Sequence, residues 1–347
     1  MIRYLYCLLV AVAAVQQQPA AGAGVARAAA VRAPHAATPV LSVSDNNGAG
    51  RTGAADNLVT DTVNTPIAAA DPAEAGDEIW MVSTRRLPTA INDQVSPKDL
   101  VISCLTSTKH TGDIFSAAPG LVTCIYVHGN RIEQSEELDR GLTAYRALKC
   151  GGSARTPLRF VIWSWPSDEV HGAFRDARTK AARTNAEAFY LGSFLAAQPA
   201  AAPSVRLLGY SFGARIVTGA LHLVGGGQLA GHRLPLGYRS DFRARVALIA
   251  AAVDNEWLLP GHPHGQALTA VEKLFLLNNS QDRALRFYHV VLEGRALGFT
   301  GLRSVPCPQV ASIQQQDYHA YVGKLHDINR YFRSPLIAAK LATFLLP

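Results

Sequence analysis

The sequence predicts an α/β protein: a mostly parallel central sheet with helices on both faces. Three observations lead there. Short β-branched runs are apolar along their whole length, as strands covered on both sides must be. Helical patterns alternate with those runs, the order that βαβ crossovers require. Several runs also end in polar residues able to do chemistry, at the carboxyl strand ends where such sheets bind ligands.

The elements follow in order from Asp77. "EIWMVSTR" reads as the first strand and "DLVISCL" as a weaker second. "GLVTCIYVHG", "LRFVIWSWP", "VRLLGYS", "RVALIAAAVD" and "VEKLFLLNNS" then supply five more. Helical stretches fall at Glu136 to Leu148, Ala173 to Ala197, Ala214 to Leu223 and Leu336 to Leu346. No repeat of 20 to 50 residues is visible.

The 347 residues are 48% hydrophobic, ample for a large core. Arg3 precedes an apolar stretch too short to span a bilayer, so residues 1–23 are expected to be a secretory signal peptide, with an uncleaved anchor as the alternative. Residues 24–76 are rich in Ala, Gly, Pro, Val and Thr and lack aromatics, the composition of a disordered linker. The folded domain is therefore placed at 77–347, and the chain is expected to be exported, periplasmic or secreted.

The net charge of +7 is modest and comes mainly from arginine. "FRDARTKAARTNAE" interleaves Arg175, Arg178 and Lys180 with acids, which reads as a solvated helix face rather than a nucleic-acid stripe. A peripheral association with the cell envelope is compatible with this balance. Beyond Cys7, the residues Cys104, Cys124, Cys150 and Cys307 allow two disulfides in three connectivities, although Cys124 inside a core strand also suits a buried thiol. No Cys/His spacing suggests a metal, and no cofactor is expected.

The chemistry concentrates in "LLGYSFGARIV". Ser211 lies between Gly209 and Gly213 where a strand gives way to a helix. Such glycines allow close backbone approach at a strained turn that lifts a serine hydroxyl out of the sheet. A serine needs a base to become a nucleophile, and the base needs an orienting acid, in the chain order Ser, acid, His. Asp282 in "LFLLNNSQDRAL" and His326 in "GKLHDINRYF" fit that order, with Asp254 and His319 as the competing acid and base. Asp327, beside His326, reads as a loop solvator. Oxyanion donors are expected from the Phe212 N–H and from the "YVHGNR" loop, where Gly129 permits close approach and Asn130 or Arg131 offers an N–H. His128 reads as structural. Trp163, Trp165 and Trp257 lie near strand ends, where they line an apolar pocket or pack the sheet margin, and the polar stretch from Gly225 to Asp241 is expected to cover part of the site.

Through "IWMVSTR", "IYVHGN", "VIWSWPSD", "LLGYSFGARIV", "NNSQDRALRF", "RALGFTGL" and "LHDINRYFRSP", the chain resembles the α/β-hydrolase superfamily, and more narrowly a bacterial branch of hydrolases of unknown function. The likeness runs from about residue 78 to 347. It implies Ser211 as nucleophile, Asp282 as acid, His326 as base and the segment after His128 as oxyanion loop. The resemblance does not specify a substrate; two-step acyl transfer through these residues is read as hydrolysis of a small-molecule or lipid carboxylic ester, without a cofactor. The alternative it leaves is a non-catalytic binding or scaffold protein on the same fold.

Overall fold

The computed structural model describes residues 76–106, 113–116, 120–151, 156–199, 205–234, 241–303 and 312–347. The expected signal peptide, nearly all of the expected linker, and Cys307 lie outside them. Eight strands form one sheet: β1 (Glu78–Ser83), β2 (Val101–Cys104), β3 (Val122–Val127), β4 (Leu158–Ser164), β5 (Val205–Tyr210), β6 (Ala244–Ile249), β7 (Val271–Asn278) and β8 (Ile313–Asp317). Their order is β2-β1-β4-β3-β5-β6-β7-β8. Only the β1–β2 pair is antiparallel; the other six pairs are parallel.

Three long helices cross between the central strands: α1 (Glu137–Gly151), α2 (Ala173–Ala196) and α3 (Phe212–Val224). The β3-to-β4 step runs one way along the sheet, while β4-to-β5 and β5-to-β6 run the other. Right-handed crossovers therefore place α1 on one face and α2 with α3 on the opposite face. Accordingly α2 packs on α3, and α1 packs on the last described helix, Pro335–Leu345. β3, β4 and β5 are buried at every residue, which explains their unbroken apolar sequences.

Short helices α4 (Arg283–Arg286), α5 (Tyr288–Val291) and α6 (Leu297–Thr300) follow β7. After β8 come α7 (His319–Val322), α8 (Ile328–Phe332) and α9 (Pro335–Leu345). β8 was not apparent in the sequence. Its residues, IQQQD, are half-buried or exposed, so an edge strand carries no apolar alternation to reveal it.

Among the described cysteines, Cys104, Cys124 and Cys150 are free thiols, so none of the allowed disulfides links two of these three. Cys124 is fully buried in β3, and burial pushes its thiol up to about 12. The basic stretch is a mixed face: Arg175 and Arg178 are exposed, but Lys180 is buried with Nζ donating to the Pro166 carbonyl at 3.1 Å.

One polar cluster lies beneath the carboxyl strand ends. Glu137, buried in the first turn of α1, accepts Ser164 Oγ at 2.5 Å and Arg85 Nη2 at 2.6 Å, with His128 Nε2 at 3.2 Å. Arg85 also pairs with Asp168. Burial alone would raise the Glu137 carboxyl, but the hydrogen bonds from His128, Arg85 and Ser164 outweigh it and hold the group below the ordinary glutamate value. Asp168 is likewise held down by Arg85 against its burial. Depressed folded values mean that this stabilisation is complete above the unfolded pKa, about 4.3 for glutamate, and is lost as pH falls through the folded value. Glu137→Gln is therefore expected to cost about 3 kcal/mol at pH 7 and to flatten the loss of stability below pH 4, measured as urea midpoints across pH.

Candidate active site

Ser211 occupies the turn between β5 and α3 with φ 53° and ψ −120°, a left-handed conformation that a serine rarely adopts. The two flanking glycines permit it. A Cβ on Gly213 would lie 2.1 Å from the Val127 carbonyl oxygen and 2.6 Å from that of His128. One on Gly209 would lie 2.8 Å from Ala214 Cα. Gly213→Ala should therefore destabilise by about 2 to 3 kcal/mol, read by thermal unfolding, because the obstructing atoms are backbone.

The turn is also held by β6. Ser211 N–H donates to Ile249 O at 3.0 Å, and Ala252 N–H donates to Ser211 O at 3.1 Å. Ala250, between those partners, has φ 44°. Two strained residues thus sit side by side at neighbouring strand ends.

His326 and Asp282 meet Ser211 there. His326 Nε2 is 2.8 Å from Ser211 Oγ, and His326 Nδ1 is 2.7 Å from Asp282 Oδ2. With Asp282 ionised, Nδ1–H donates to the carboxylate and Nε2 is left to accept the serine hydroxyl proton. The ring stacks on Tyr210, with centroids 5.1 Å apart and planes at 26°. Burial raises the Tyr210 hydroxyl far above its ordinary value, so this platform stays neutral.

Asp282 caps α4. Its Oδ1 accepts Ala284 N–H at 2.9 Å and Leu285 N–H at 3.0 Å, leaving Oδ2 for the imidazole. The loops carrying acid and base are joined by Asn279 Nδ2 to Gly323 O at 2.8 Å and by Arg283 N–H to Lys324 O at 3.1 Å. Asp327 is not merely solvated: it caps α8 by accepting Asn329 N–H at 3.0 Å.

The competing residues are elsewhere occupied. Asp254 accepts Glu256 N–H at 2.9 Å and Arg295 N–H at 3.0 Å, fixing the loop before α6 rather than reaching His326. His319 lies at the start of α7 with Nδ1 3.1 Å from Asp317 Oδ2, and makes no contact with Ser211.

Gly129 packs directly against the serine turn, since a Cβ on it would be 3.1 Å from Ser211 Cβ. Arg131 N–H is committed to Ser167 O at 2.8 Å, which removes it as an oxyanion donor. The N–H groups of Gly129, Asn130 and Phe212 donate to no protein acceptor among the described residues; Phe212 opens α3, where helix geometry leaves the N–H unpaired. His128 is structural, with Nδ1 2.9 Å from Gly129 O and its ring stacked on Trp165.

Trp163 and Trp165 are wholly buried, against Phe194 and His128, so they pack the sheet. Trp257 lies under the Arg215 guanidinium, 4.2 Å from its ring centroid. The described part of the Gly225–Asp241 stretch begins at the end of α3 far from Ser211, about 18 Å along a helix of this length, and His232 there pairs with Asp93. Residues 235–240 of this stretch lie outside the described residues. Sequence reasoning gave Glu137 no role and read Asp176 as part of a solvated helix face. Among the described residues no group of three or more His, Cys, Asp or Glu side chains is arranged to hold a metal ion.

Fold and site together define an α/β protein with a serine–histidine–aspartate hydrogen-bond relay at the carboxyl ends of β5 and β7. The chain matches no protein-family model and no curated protein. Among solved structures it is similar to esterase B of Lactobacillus rhamnosis, in a complex with a tributyrin phosphonate inhibitor, at 14% identity and a TM-score of 0.36. That likeness covers 77% of this chain and 85% of the other, and at such a score it decides neither fold nor chemistry.

Proposed function

We propose that the chain is a serine hydrolase of the α/β-hydrolase superfamily, cleaving a carboxylic ester through an acyl-enzyme. The observation that carries this reading is the continuous contact from Asp282 Oδ2 through the His326 ring to Ser211 Oγ, with both contacts under 3 Å. His326 Nε2 takes the hydroxyl proton as Ser211 Oγ bonds to the ester carbonyl carbon, and Asp282 stabilises the resulting imidazolium. The tetrahedral oxyanion is met by the N–H groups of Phe212 and of Asn130 or Gly129. As the carbonyl reforms, the alkoxide leaves with the proton from His326. Water then attacks the acyl group by the same route and frees Ser211.

The test is labelling with a serine-directed fluorophosphonate, followed by turnover of p-nitrophenyl esters of increasing chain length. Folded protein should label at Ser211, Ser211→Ala should not, and the chain-length preference sizes the acyl pocket. Folded protein that neither labels nor turns over these esters would favour a non-catalytic scaffold.

A further inference from the structure

We infer that Asp176 is a positioning residue for the oxyanion loop, holding the Asn130 N–H where it can meet the developing charge. This rests on the hydrolase reading above and adds a residue to it.

Asp176 sits in the first turn of α2, fully buried. Its Oδ2 accepts Asn130 Nδ2 and Arg131 Nε, each at 2.8 Å, and its Oδ1 accepts Val170 N–H at 3.0 Å. One carboxylate thus grips two consecutive residues of the loop and the segment leading into α2. The grip is needed because Arg131 holds φ 59°, a conformation a non-glycine residue keeps only when its surroundings impose it.

The rest of the loop is tied as well. His128 O accepts Trp165 Nε1 at 3.0 Å, Gly129 O faces His128 Nδ1, and Ile132 exchanges two hydrogen bonds with Ser167 Oγ. The N–H groups of Gly129 and Asn130 donate to no acceptor among the described residues, and Gly129 itself packs against Ser211. Asn130 Oδ1 is buried with no partner, so its amide is anchored through Asp176 alone. An acid in a helix's first turn also suits the helix dipole, but dipole stabilisation does not require three donors from two other segments.

Asp176→Asn tests this, because it keeps the shape while turning an NH2 group toward donors. Arg131→Met removes one donor from a partly exposed position and serves if Asp176→Asn fails to fold. For a p-nitrophenyl ester, kcat should fall about 100-fold in Asp176→Asn, the lower end of the range for a lost oxyanion donor, and about 10-fold in Arg131→Met, where one of the three donors to Asp176 is removed, while KM stays within about threefold. Affinity for a trifluoromethyl ketone, which forms an oxyanion on Ser211, should weaken in the same proportion as kcat/KM.

A kcat within twofold of wild type, a change carried by KM, or a kcat loss without the matching loss of ketone affinity would each overturn the role of Asp176. Ser211→Ala, run alongside, separates the two claims. If it is inactive while the Asp176 and Arg131 variants keep full rate, only the positioning role fails. If wild-type protein has no Ser211-dependent turnover, both fail.

Discussion

Ser211→Ala is expected to lower kcat for a p-nitrophenyl ester by about 10⁴ to 10⁶-fold, because the acyl intermediate cannot form. Ser211→Gly should be equally inactive, yet the two proteins should differ in stability. Each loses the 2.8 Å contact to His326, so that loss cancels between them. What remains is the backbone: φ 53° strains any residue with a Cβ, and glycine escapes that penalty. The glycine variant should be about 1 kcal/mol more stable than the alanine variant, read as a higher Tm. Equal stabilities would mean that the turn is not under load.

Asp282→Asn is expected to lower kcat by about 10⁴-fold with little change in Tm. The amide oxygen that this substitution introduces can still accept the N–H groups of Ala284 and Leu285, so the cap of α4 survives. What is lost is the acceptor for His326 Nδ1–H, and with it the tautomer that leaves Nε2 free for the serine. Asp282→Ala should show the same kinetic loss and an added cost of about 1 kcal/mol from the missing cap. Kinetics and thermal unfolding on the pair separate the carboxylate's two duties, one for each oxygen. A full rate in Asp282→Asn would remove the acid from the mechanism.

How much of this was legible in the sequence depended on whether the physical cause was local. Ser211 stood out because the glycines that its turn needs lie two residues away on either side. The central strands were legible because burial on both faces leaves an uninterrupted apolar run. Asp282 and His326 were preferred over Asp254 and His319 from the order in which polar residues follow strands, and the coordinates add the contacts that join them to Ser211. Each rival has neighbouring polar partners of its own: the backbone at Glu256 and Arg295 for one, Asp317 for the other. Glu137 and Asp176 were illegible for the opposite reason. Their side-chain donors come from 27 to 52 residues away in the chain for Arg85, Asn130, Arg131 and Ser164, and a helical pattern alone does not separate a buried acid from a wet one. The helices α4 to α7 have four residues each, too few to display a period of 3.6.

The anchoring of the serine turn on β6 bears on how such a protein could diversify. Because Ile249 and Ala252 hold Ser211 from the side, a substitution that shifts the end of β6 also shifts Ser211. The short helices between Arg283 and Thr300 carry no such coupling at their exposed positions, where Phe287 and Val290 face solvent. Variation is therefore best tolerated at Phe287 and Val290, whereas Arg283, Ala284 and Leu285 hold Asp282 and its neighbouring loop, and the strand ends hold Ser211.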